Sequence, residues 1–352
     1  MEVLTERQKL LLTLIIHEFA KDAAPVGSKS LVDQFNLDLS TATVRNDMSA
    51  LTDMGYLRQP HTSAGRVPTE SGYRFFVGNL LQHTDLPDAT RHMISHQFYQ
   101  MRHDVDQWMR LAVSVLASQS QSASLITAPH AEKPVFKHVE LISTRGRQVL
   151  MVLVLMGGDV RQRLLTLNEP MTQERLSQTA EQVTRLMAGS DITEMRILGT
   201  RLDTLGREMV DWAIEEMISS GSEQSGELYL DGLSNVFVEP EFSTEEGRGA
   251  LRILEERSTL QQLFTQTLPN TVNSVQVLIG GEGNWEELRQ CSLILSRYGA
   301  PGLATGTLGV LGPMRMPYGR AISTVRFLSR LLSDLVTETL VTDDRLDIAN
   351  NA

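Results

Sequence analysis

Three short helical patterns and a hairpin pattern fill the first seventy residues, and their order constrains the fold of this chain more than any other feature. The first pattern places apolar residues on one helical face, at Leu11, Leu14, Ile15 and Phe19. Pro25 and Gly27 predict the end of this helix, and Ser28 is a suitable N-cap for a second, two-turn helix. Ser40 can cap a third helix, whose end is predicted at Gly55.

The third helix presents a polar face opposite its apolar residues Val44, Met48 and Leu51. Arginine can make a paired contact with guanine, asparagine can do so with adenine, and alanine or a threonine methyl can meet the thymine methyl. The DNA-contacting residues predicted on this helix are Ser40, Thr41, Ala42, Thr43, Arg45, Asn46 and Ser49. An ordinary polar surface is the alternative interpretation.

A hairpin is predicted after the third helix, because residues 57–59 and 66–68 have strand length and flank a polar tip that contains glycine. Its predicted contacts to the phosphate backbone come from His61, Thr62, Ser63, Gly65 and Arg66. Three helices and such a hairpin predict a winged helix-turn-helix, with the third helix in the DNA major groove. For the hairpin tip, the alternative interpretation is a plain surface loop without a binding role.

The net charge of −11 argues against a nucleic-acid-binding protein. Residues 1–82 hold 8 Lys and Arg against 9 Asp and Glu, so this region is not basic overall. Charges act over only about 8 Å at physiological salt, however, so their local arrangement outweighs the total. From Tyr56 to Gln82 the only acid is Glu70, and it is accompanied by Arg58, Arg66 and Arg74. Positive charge is therefore expected in and after the hairpin.

The length of 352 residues predicts two or three domains. The longest apolar run, residues 149–156, falls far short of the roughly 20 residues that span a bilayer. The N-terminus lacks the pattern of a signal peptide, and Cys291 is the only cysteine, as expected in a reducing compartment. We therefore expect a cytoplasmic protein.

Motifs for catalysis are weak in this sequence. There is no phosphate-binding loop, residues 232–236 lack the last glycine of a nucleophile elbow, and residues 280–283 do not fit the dinucleotide fingerprint. His92, His96 and His103 are interpreted as solvated surface residues rather than metal ligands. We expect no enzymatic activity, no cofactor and no metal site.

The remainder of the chain predicts a mixed sheet interrupted by a mainly helical segment. Thr69 can cap a fourth helix, and a long connecting helix follows Pro87; the sequence leaves open whether it packs on its own domain or on a second subunit. A β-meander is predicted over residues 139–167, helices over 172–217, a short strand pair over 228–238, strands at 275–279, 291–297 and 305–312, and a closing helix over 321–335. This order suggests one domain inserted into another.

Several segments resemble the HrcA family of bacterial heat-inducible transcription repressors. The N-terminal similarity lies in PVGSKSL at 25–31, STATVRNDM at 40–48 and QPHTSAGRVPT at 59–69. It continues in LYLDGLSN at 228–235, IGGE at 279–282 and GVLGPMRMPY at 309–318, and so covers nearly the whole chain.

The resemblance implies an α+β multidomain fold with an N-terminal winged helix-turn-helix and a GAF-like α/β domain that is interrupted by an inserted, mainly helical dimerisation domain. The implied divisions are 1–82 for DNA binding, 83–122 for the connecting helix, 123–170 and 263–345 for the GAF-like domain, and 171–262 for the insert. It further implies a nucleoid-associated homodimer that represses chaperone genes. The implied partners are an inverted-repeat operator in double-stranded DNA and the chaperonin GroEL. GroEL is expected to support the activity of the repressor, and this activity is lost on heat shock.

Two other interpretations stay open at this point. The GAF-like domain could receive a small molecule, which would make the protein a metabolite-responsive regulator. Alternatively, the acidic balance could indicate a winged-helix protein-interaction scaffold without a DNA role.

Overall fold

The computed structural model describes residues 4–62, 64–81, 85–101, 104–131, 134–156, 160–222, 226–269 and 271–350. These residues divide into two compact units. The first unit draws on Met1–Ile126, Leu228–Arg297 and Thr307–Leu331. The second draws on Thr127–Glu227, Tyr298–Gly306 and Leu332–Ala352.

The first unit begins with the segment that we call the head, residues 4–81. Its elements are α1 (Glu6–Asp22), α2 (Ser28–Phe35), α3 (Thr41–Asp53), β1 (Leu57–Arg58), β2 (Val67–Pro68) and α4 (Glu70–Phe75), which continues as a π-helical turn over Phe76–Leu80. The predicted caps are confirmed at Ser40 and Thr69, whose hydroxyls accept backbone N–H groups of α3 and α4. At Ser28 the N-cap is instead Gly27, and Ser28 begins α2.

The core of the head forms where the apolar faces of its helices meet. Its fully or almost fully buried side chains include Leu11, Leu12, Ile15, Leu31, Val44, Met48 and Leu51. Gly55 ends the α3 region at a φ of +81°, and its N–H donates to the Thr52 carbonyl at 2.9 Å. The buried face of α3 and its closing glycine are therefore as predicted.

The single connecting helix predicted after the head is wrong, because the structure has two helices there. These are α5 (Asp88–Gln100) and α6 (Val105–Ser120). Asp104 starts the second helix by accepting the Gln107 N–H at 3.1 Å. The indole of Trp108 in the second helix donates to the Met101 carbonyl at the end of the first at 2.8 Å, so it links the two helices.

The second unit contains a three-stranded antiparallel sheet covered by helices. Its elements are β5 (Phe136–Arg145), β6 (Gln148–Leu155), β7 (Val160–Thr166), α7 (Gln173–Met187), α8 (Ile192–Gly199) and α9 (Thr204–Ser222). The predicted β-meander and the helices after it are confirmed. The strands and helices share one apolar core that runs from Phe136 to Met217. The predicted division between residues 170 and 171 lies inside this stretch, and the domain boundaries stay a prediction.

A larger sheet has the strand order β8-β3-β11-β10-β9, with β4 paired to β11. Its strands are β3 (Ala123–Thr127), β4 (His130–Ala131), β8 (Leu228–Asp231), β9 (Val275–Ile279), β10 (Cys291–Ala300) and β11 (Ala304–Pro313). The helices that follow β8 in the chain are α10 (Leu233–Phe237), α11 (Glu245–Glu255), α12 (Arg257–Thr267) and α13 (Tyr318–Asn350), with short 3-10 turns at Pro240–Ser243, Gly280–Gly283 and Glu286–Leu288. Within the described residues, no helix is both long and apolar enough to cross a membrane.

The strand pair predicted over residues 228–238 is wrong in its second half. After β8 the backbone turns at Gly232, which has a φ of +71°, and α10 follows. The Asn235 side-chain amide donates to the carbonyls of Ala117 and Ser122 at 3.3 and 3.4 Å. These long-range bonds favour a helical turn where the local sequence alone indicated a strand.

Candidate nucleic-acid interface

The outward side of α3 carries most of the predicted DNA-contacting residues. Ala42, Arg45 and Asn46 are exposed, whereas Thr41, Thr43 and Ser49 are half-buried beside them. Ser40 accepts the Thr43 N–H at 3.1 Å, and the hydroxyls of these two residues lie 2.9 Å apart. In the described part of the chain Arg45 and Asn46 have no side-chain partner, so their donors and acceptors remain available.

The opposite side of α3 is anchored by an ion pair that the sequence analysis did not identify. Asp47 is buried, and its two carboxylate oxygens accept Arg7 Nε at 2.6 Å and Arg7 Nη2 at 3.1 Å. This hydrogen bond and the charge of Asp47 raise the pKa of the Arg7 guanidinium. A two-bond contact fixes direction as well as distance, so the pair ties the rotation of α3 to α1.

The segment between α1 and α2 provides a third extended stretch, which pairs with the hairpin. Within the hairpin Leu57 pairs with Pro68 and Arg58 with Val67. Val26 and Arg66 form an isolated bridge whose two N–H···O bonds measure 2.9 and 2.8 Å. A Cβ at residue 65 would lie 2.3 Å from the Val26 carbonyl oxygen. This close approach of two backbones explains why glycine occupies position 65.

The tip of the hairpin is exposed at His61 and Thr62, two of the predicted phosphate contacts. Gln59 shapes the tip, because its side-chain amide donates to the carbonyls of Thr62 and Ala64 at 2.8 and 3.1 Å. Ser63, the remaining predicted contact at the tip, lies outside the described residues. The role of Gln59 was missed because a polar residue at a strand end gives no distinctive sequence signal.

Arg66 connects the hairpin to α3. Its Nε donates to the Thr52 hydroxyl at 3.0 Å, and that hydroxyl donates to the Met48 carbonyl at 2.8 Å. Arg66 is half-buried, and no acid of the described residues neutralises it. The side chain is thus placed by one N–H group while its positive charge remains uncompensated.

The positive charges of the head separate into two groups. Of the eight Lys and Arg residues at positions 4–81, those paired with an acid are Arg7, Lys9, Lys21 and Arg74. They belong to α1 and α4. The cations without an ion pair among the described residues are Lys29, Arg45, Arg58 and Arg66, which belong to α2, α3 and the hairpin. Uncompensated charge therefore occurs on the elements that carry the predicted interface.

Two features of the first unit, a buried cysteine and a cleft, bear on other binding chemistry. Cys291 is buried, and this burial raises its thiol pKa to about 12, so the thiol stays protonated near neutrality. A cleft of about 210 Å³ is lined by residues that include Gln266, Gln276 and Trp285. It is smaller than the roughly 300–1,000 Å³ of typical ligand pockets. The metabolite-receptor alternative gains no support from it.

Comparisons with known proteins cover both sequence and structure. The family profile described as HrcA protein C terminal domain matches residues 106–322. The heat-inducible transcription repressor HrcA of Chloroflexus aggregans is 43% identical over 351 residues, covering 95% of this chain and 93% of that protein. The protein of the same name from Roseiflexus castenholzii is 42% identical over 344 residues, covering 95% of each chain.

A solved structure resembles the whole chain. It is titled as the crystal structure of a hypothetical protein at 2.2 Å resolution, and it matches with a TM-score of 0.62 at 24% identity. The match covers 96% of this chain and 100% of the other. At this identity the likeness concerns the fold alone, and it supports a mixed helix and sheet architecture along the chain.

Proposed function

The chain belongs to the HrcA family of heat-inducible transcription repressors, and from this premise we propose that it acts as a homodimer on an inverted-repeat operator. Its relatives are named heat-inducible transcription repressors, and family membership supports a transcriptional repressor of heat-shock genes. The proposal adds that each head is a winged helix-turn-helix that places α3 in one half-site. Two-fold protein symmetry then matches two-fold DNA symmetry.

The observation that carries this proposal is the separation of cations in the head. Phosphate contacts require positive charge that is not already neutralised, and this charge lies on α2, α3 and the hairpin. The exposed Arg45 and Asn46 lie on the same helix and have the chemistry for base contacts. Arg66 and the hairpin tip would fix the position of the head on the phosphate backbone without selecting sequence.

The two units support an assignment of the remaining domains. The large sheet with α11 and α12 suits the proposed GAF-like domain, and the three-stranded sheet with α7, α8 and α9 suits the proposed dimerising insert. Under this proposal the insert includes the β-meander, because that meander shares the core of the helices after it.

Dimerisation is proposed through the outer face of the three-stranded sheet. The strands bury one face against the helices, but the opposite face is also rich in apolar residues. Strand register places Ile142, Leu150 and Leu164 in one row, and Val154 and Val160 are neighbours in another. Ile142, Val160 and Leu164 are about half exposed in the single chain. An apolar sheet face of this kind is suited to cover by a second copy of the same face.

The experiment that tests the proposed function compares an inverted-repeat duplex from a chaperone-gene promoter with a scrambled duplex of the same composition. Binding of the purified dimer is measured at two salt concentrations, because phosphate contacts give a steep salt dependence. We expect selective binding to the inverted repeat. Equal, weak binding to both duplexes by a folded dimer would support the scaffold interpretation instead.

We also propose that heat inactivates the repressor in the cytoplasm and that GroEL restores its active fold. Only a small free-energy difference between active and inactive forms is needed, since a loss of about 1–2 kcal/mol shifts two populations several-fold or more. The purified dimer should lose operator binding during incubation at heat-shock temperature and regain it with GroEL and ATP. Undiminished binding after prolonged heating without chaperonin would contradict this part of the proposal.

A further inference from the structure

Two sequence motifs, at residues 279–282 and 309–318, lie outside the head but contact it within the first unit. We propose that these motifs form a docking seam that holds the head in one orientation and thereby sets the spacing accepted between operator half-sites. This inference rests on the proposed function, because it concerns how the same head meets DNA. We call the contacts between the head and these motifs the seam.

Arg315 is the first anchor of the seam. Its side chain is only 11% exposed, and it forms ion pairs with Glu239 and with Glu241, the latter at 2.8 Å. Burial opposes its charge, but the two carboxylates raise the pKa of the Arg315 guanidinium. Its Nη1 donates to the Ala20 carbonyl in the last turn of α1 at 3.4 Å. The last carbonyls of a helix lack intrahelical partners and attract cations, so this contact suits both groups.

Arg74 is the second anchor and extends in the opposite direction, from the head to the sheet. Its Nη2 donates to the Ile279 carbonyl at 2.9 Å and to Glu70 at 3.0 Å. Its Nε lies 3.7 Å from the Glu282 carboxylate. Arg74 thus connects α4 to the end of β9, 205 residues away in sequence.

The loop after β9 adopts unusual backbone geometry at this anchor. Gly280 has a φ of +65° and would place a Cβ 2.3 Å from Glu70 Cδ. Glu282 has a φ of +46°, a region that residues other than glycine seldom occupy. Such a conformation persists where the surroundings determine it. In this loop the unusual backbone brings the Glu282 carboxylate near Arg74 and Gly280 near Glu70 of α4.

Two buried tyrosines contribute the apolar part of the seam. Tyr73 precedes Arg74, and Tyr318 follows Arg315 by three residues. Their ring centroids lie 6.0 Å apart, within the range of favourable aromatic pairs. The Tyr318 hydroxyl is fixed by donating to the Met314 carbonyl at 2.8 Å and by a 2.6 Å bond with Ser292.

Three contacts therefore oppose rotation of the head on the rest of the first unit: two arginine anchors and a buried ring pair. When two binding modules are held rigidly, joint binding is strong only if the half-sites match their separation. Loosely held modules accept a wider range of spacings. The seam thus predicts that spacing preference can be reduced without changing the contacts of one head with its half-site.

The test uses the full chain and a duplex that the wild-type protein selects from random sequences. Two further probes are the same duplex with its spacer lengthened by half a helical turn, about 5 base pairs, and a duplex with a single half-site. The seam variants are Arg315→Ala and Arg74→Ala. The second keeps the test valid if the first does not fold, because Arg74 is 38% exposed. Arg289→Ala is the matched control, since its exposed ion pair with Glu286 lies outside the seam.

The wild type and Arg289→Ala should bind the lengthened duplex at least about tenfold more weakly than the selected one. In the seam variants this ratio should fall to about threefold or less, with half-site affinity unchanged within about twofold. Folded seam variants that retain the wild-type ratio would overturn the proposal. A wild-type protein that selects no inverted repeat would instead count against the proposed function.

A measurement without DNA tests the seam separately. Hydrogen exchange of the peptides covering residues 14–22 and 70–80 should be several-fold faster in Arg74→Ala than in the wild type and unchanged in Arg289→Ala. Equal exchange in all three proteins would show that the seam does not hold the head, whatever the DNA result.

Discussion

The head has two sides that carry the same number of cations but differ in how these are paired. One side consists of α1 and α4, and the other of α2, α3 and the hairpin. On the first side Arg7, Lys9, Lys21 and Arg74 are each paired with an acid. On the second, Lys29, Arg45, Arg58 and Arg66 lack such a pair in the described residues. The two sides thus differ in the pairing of their cations, and under the proposed function the unpaired cations are the ones available to DNA.

Under the proposed function, this distinction explains how an acidic protein can present a surface for DNA. The excess of acids over the whole chain acts weakly across distances beyond about 8 Å at physiological salt. A paired arginine would also have to leave its carboxylate to meet a phosphate. The unpaired cations carry no such cost, so we expect substitutions of unpaired cations to reduce the affinity for a half-site and substitutions of paired cations to leave it near the wild-type value.

The largest expected loss of operator affinity comes from separating the two copies of the proposed dimer, because each head then binds DNA alone. Leu164→Asp places a charge in the apolar row of the outer sheet face, where the residue is 55% exposed in the single chain. We expect a monomer in analytical ultracentrifugation and an operator affinity lower by about 10²- to 10⁴-fold, as joint binding is lost. Binding to a single half-site should not change. Gln182→Asp, on the exposed side of α7, is the control, and a Leu164→Asp dimer with wild-type affinity would refute the proposed interface.

The second prediction compares an unpaired cation with a paired one in the same head. Arg45→Ala should cost roughly 1–3 kcal/mol of operator binding, about 5- to 150-fold, if its side chain contacts a base. Lys9→Ala, which removes the partner of Glu6, should leave operator affinity near the wild-type value. Titrations of both variants against one duplex provide the measurement. Equal losses from the two substitutions would remove the distinction between the two sides.

The third prediction concerns charge that lacks a base contact. Arg66→Ala should weaken binding to all duplexes alike and lower the slope of log affinity against log salt by about one unit, since one phosphate contact is lost. Thr52→Val is the control because it removes the hydroxyl that accepts Arg66 Nε but keeps the charge. If Thr52→Val reduces the slope as much as Arg66→Ala, the arginine acts through the shape of the hairpin instead.

The smallest effect is expected for the two tyrosine hydroxyls of the seam, and it concerns the free energy of unfolding. The Tyr73 hydroxyl is buried without a hydrogen-bond partner among the described residues, so Tyr73→Phe should not lower the free energy of unfolding, because it removes an unsatisfied polar group. Tyr318→Phe should cost more, because its hydroxyl bonds Ser292 and Met314. Denaturant unfolding of both variants measures the difference. A larger cost for Tyr73→Phe would indicate a contact of its hydroxyl that the structure does not show.

The local parts of the head could be predicted from sequence. Ser40 and Gly55 mark the ends of the α3 region because an N-cap hydroxyl and a left-handed glycine satisfy backbone groups within a few residues. The alternating apolar residues of the β-meander likewise indicate its strands. The same local logic failed after residue 100, where Asp104 begins a new helix although the apolar spacing continues.

The contacts that position the candidate interface could not be predicted in this way. Arg7 and Asp47 are 40 residues apart, and Arg315 and Ala20 are 295 residues apart. Such pairs leave no periodic pattern, because their partners meet only after the chain has folded. Sequence reasoning therefore identified the outward residues of α3 but not the ion pair that fixes its buried side.

The most direct test of the central claim is selection of duplexes from a random library by the wild-type protein and by Arg45→Ala and Asn46→Ala. If the exposed side of α3 contacts bases, the wild type should select an inverted repeat. Each variant should then lose preference at one corresponding position in both half-sites, because the dimer is two-fold symmetric. Identical sequence preferences in all three folded proteins would contradict the account, since they would place sequence recognition outside this side of α3.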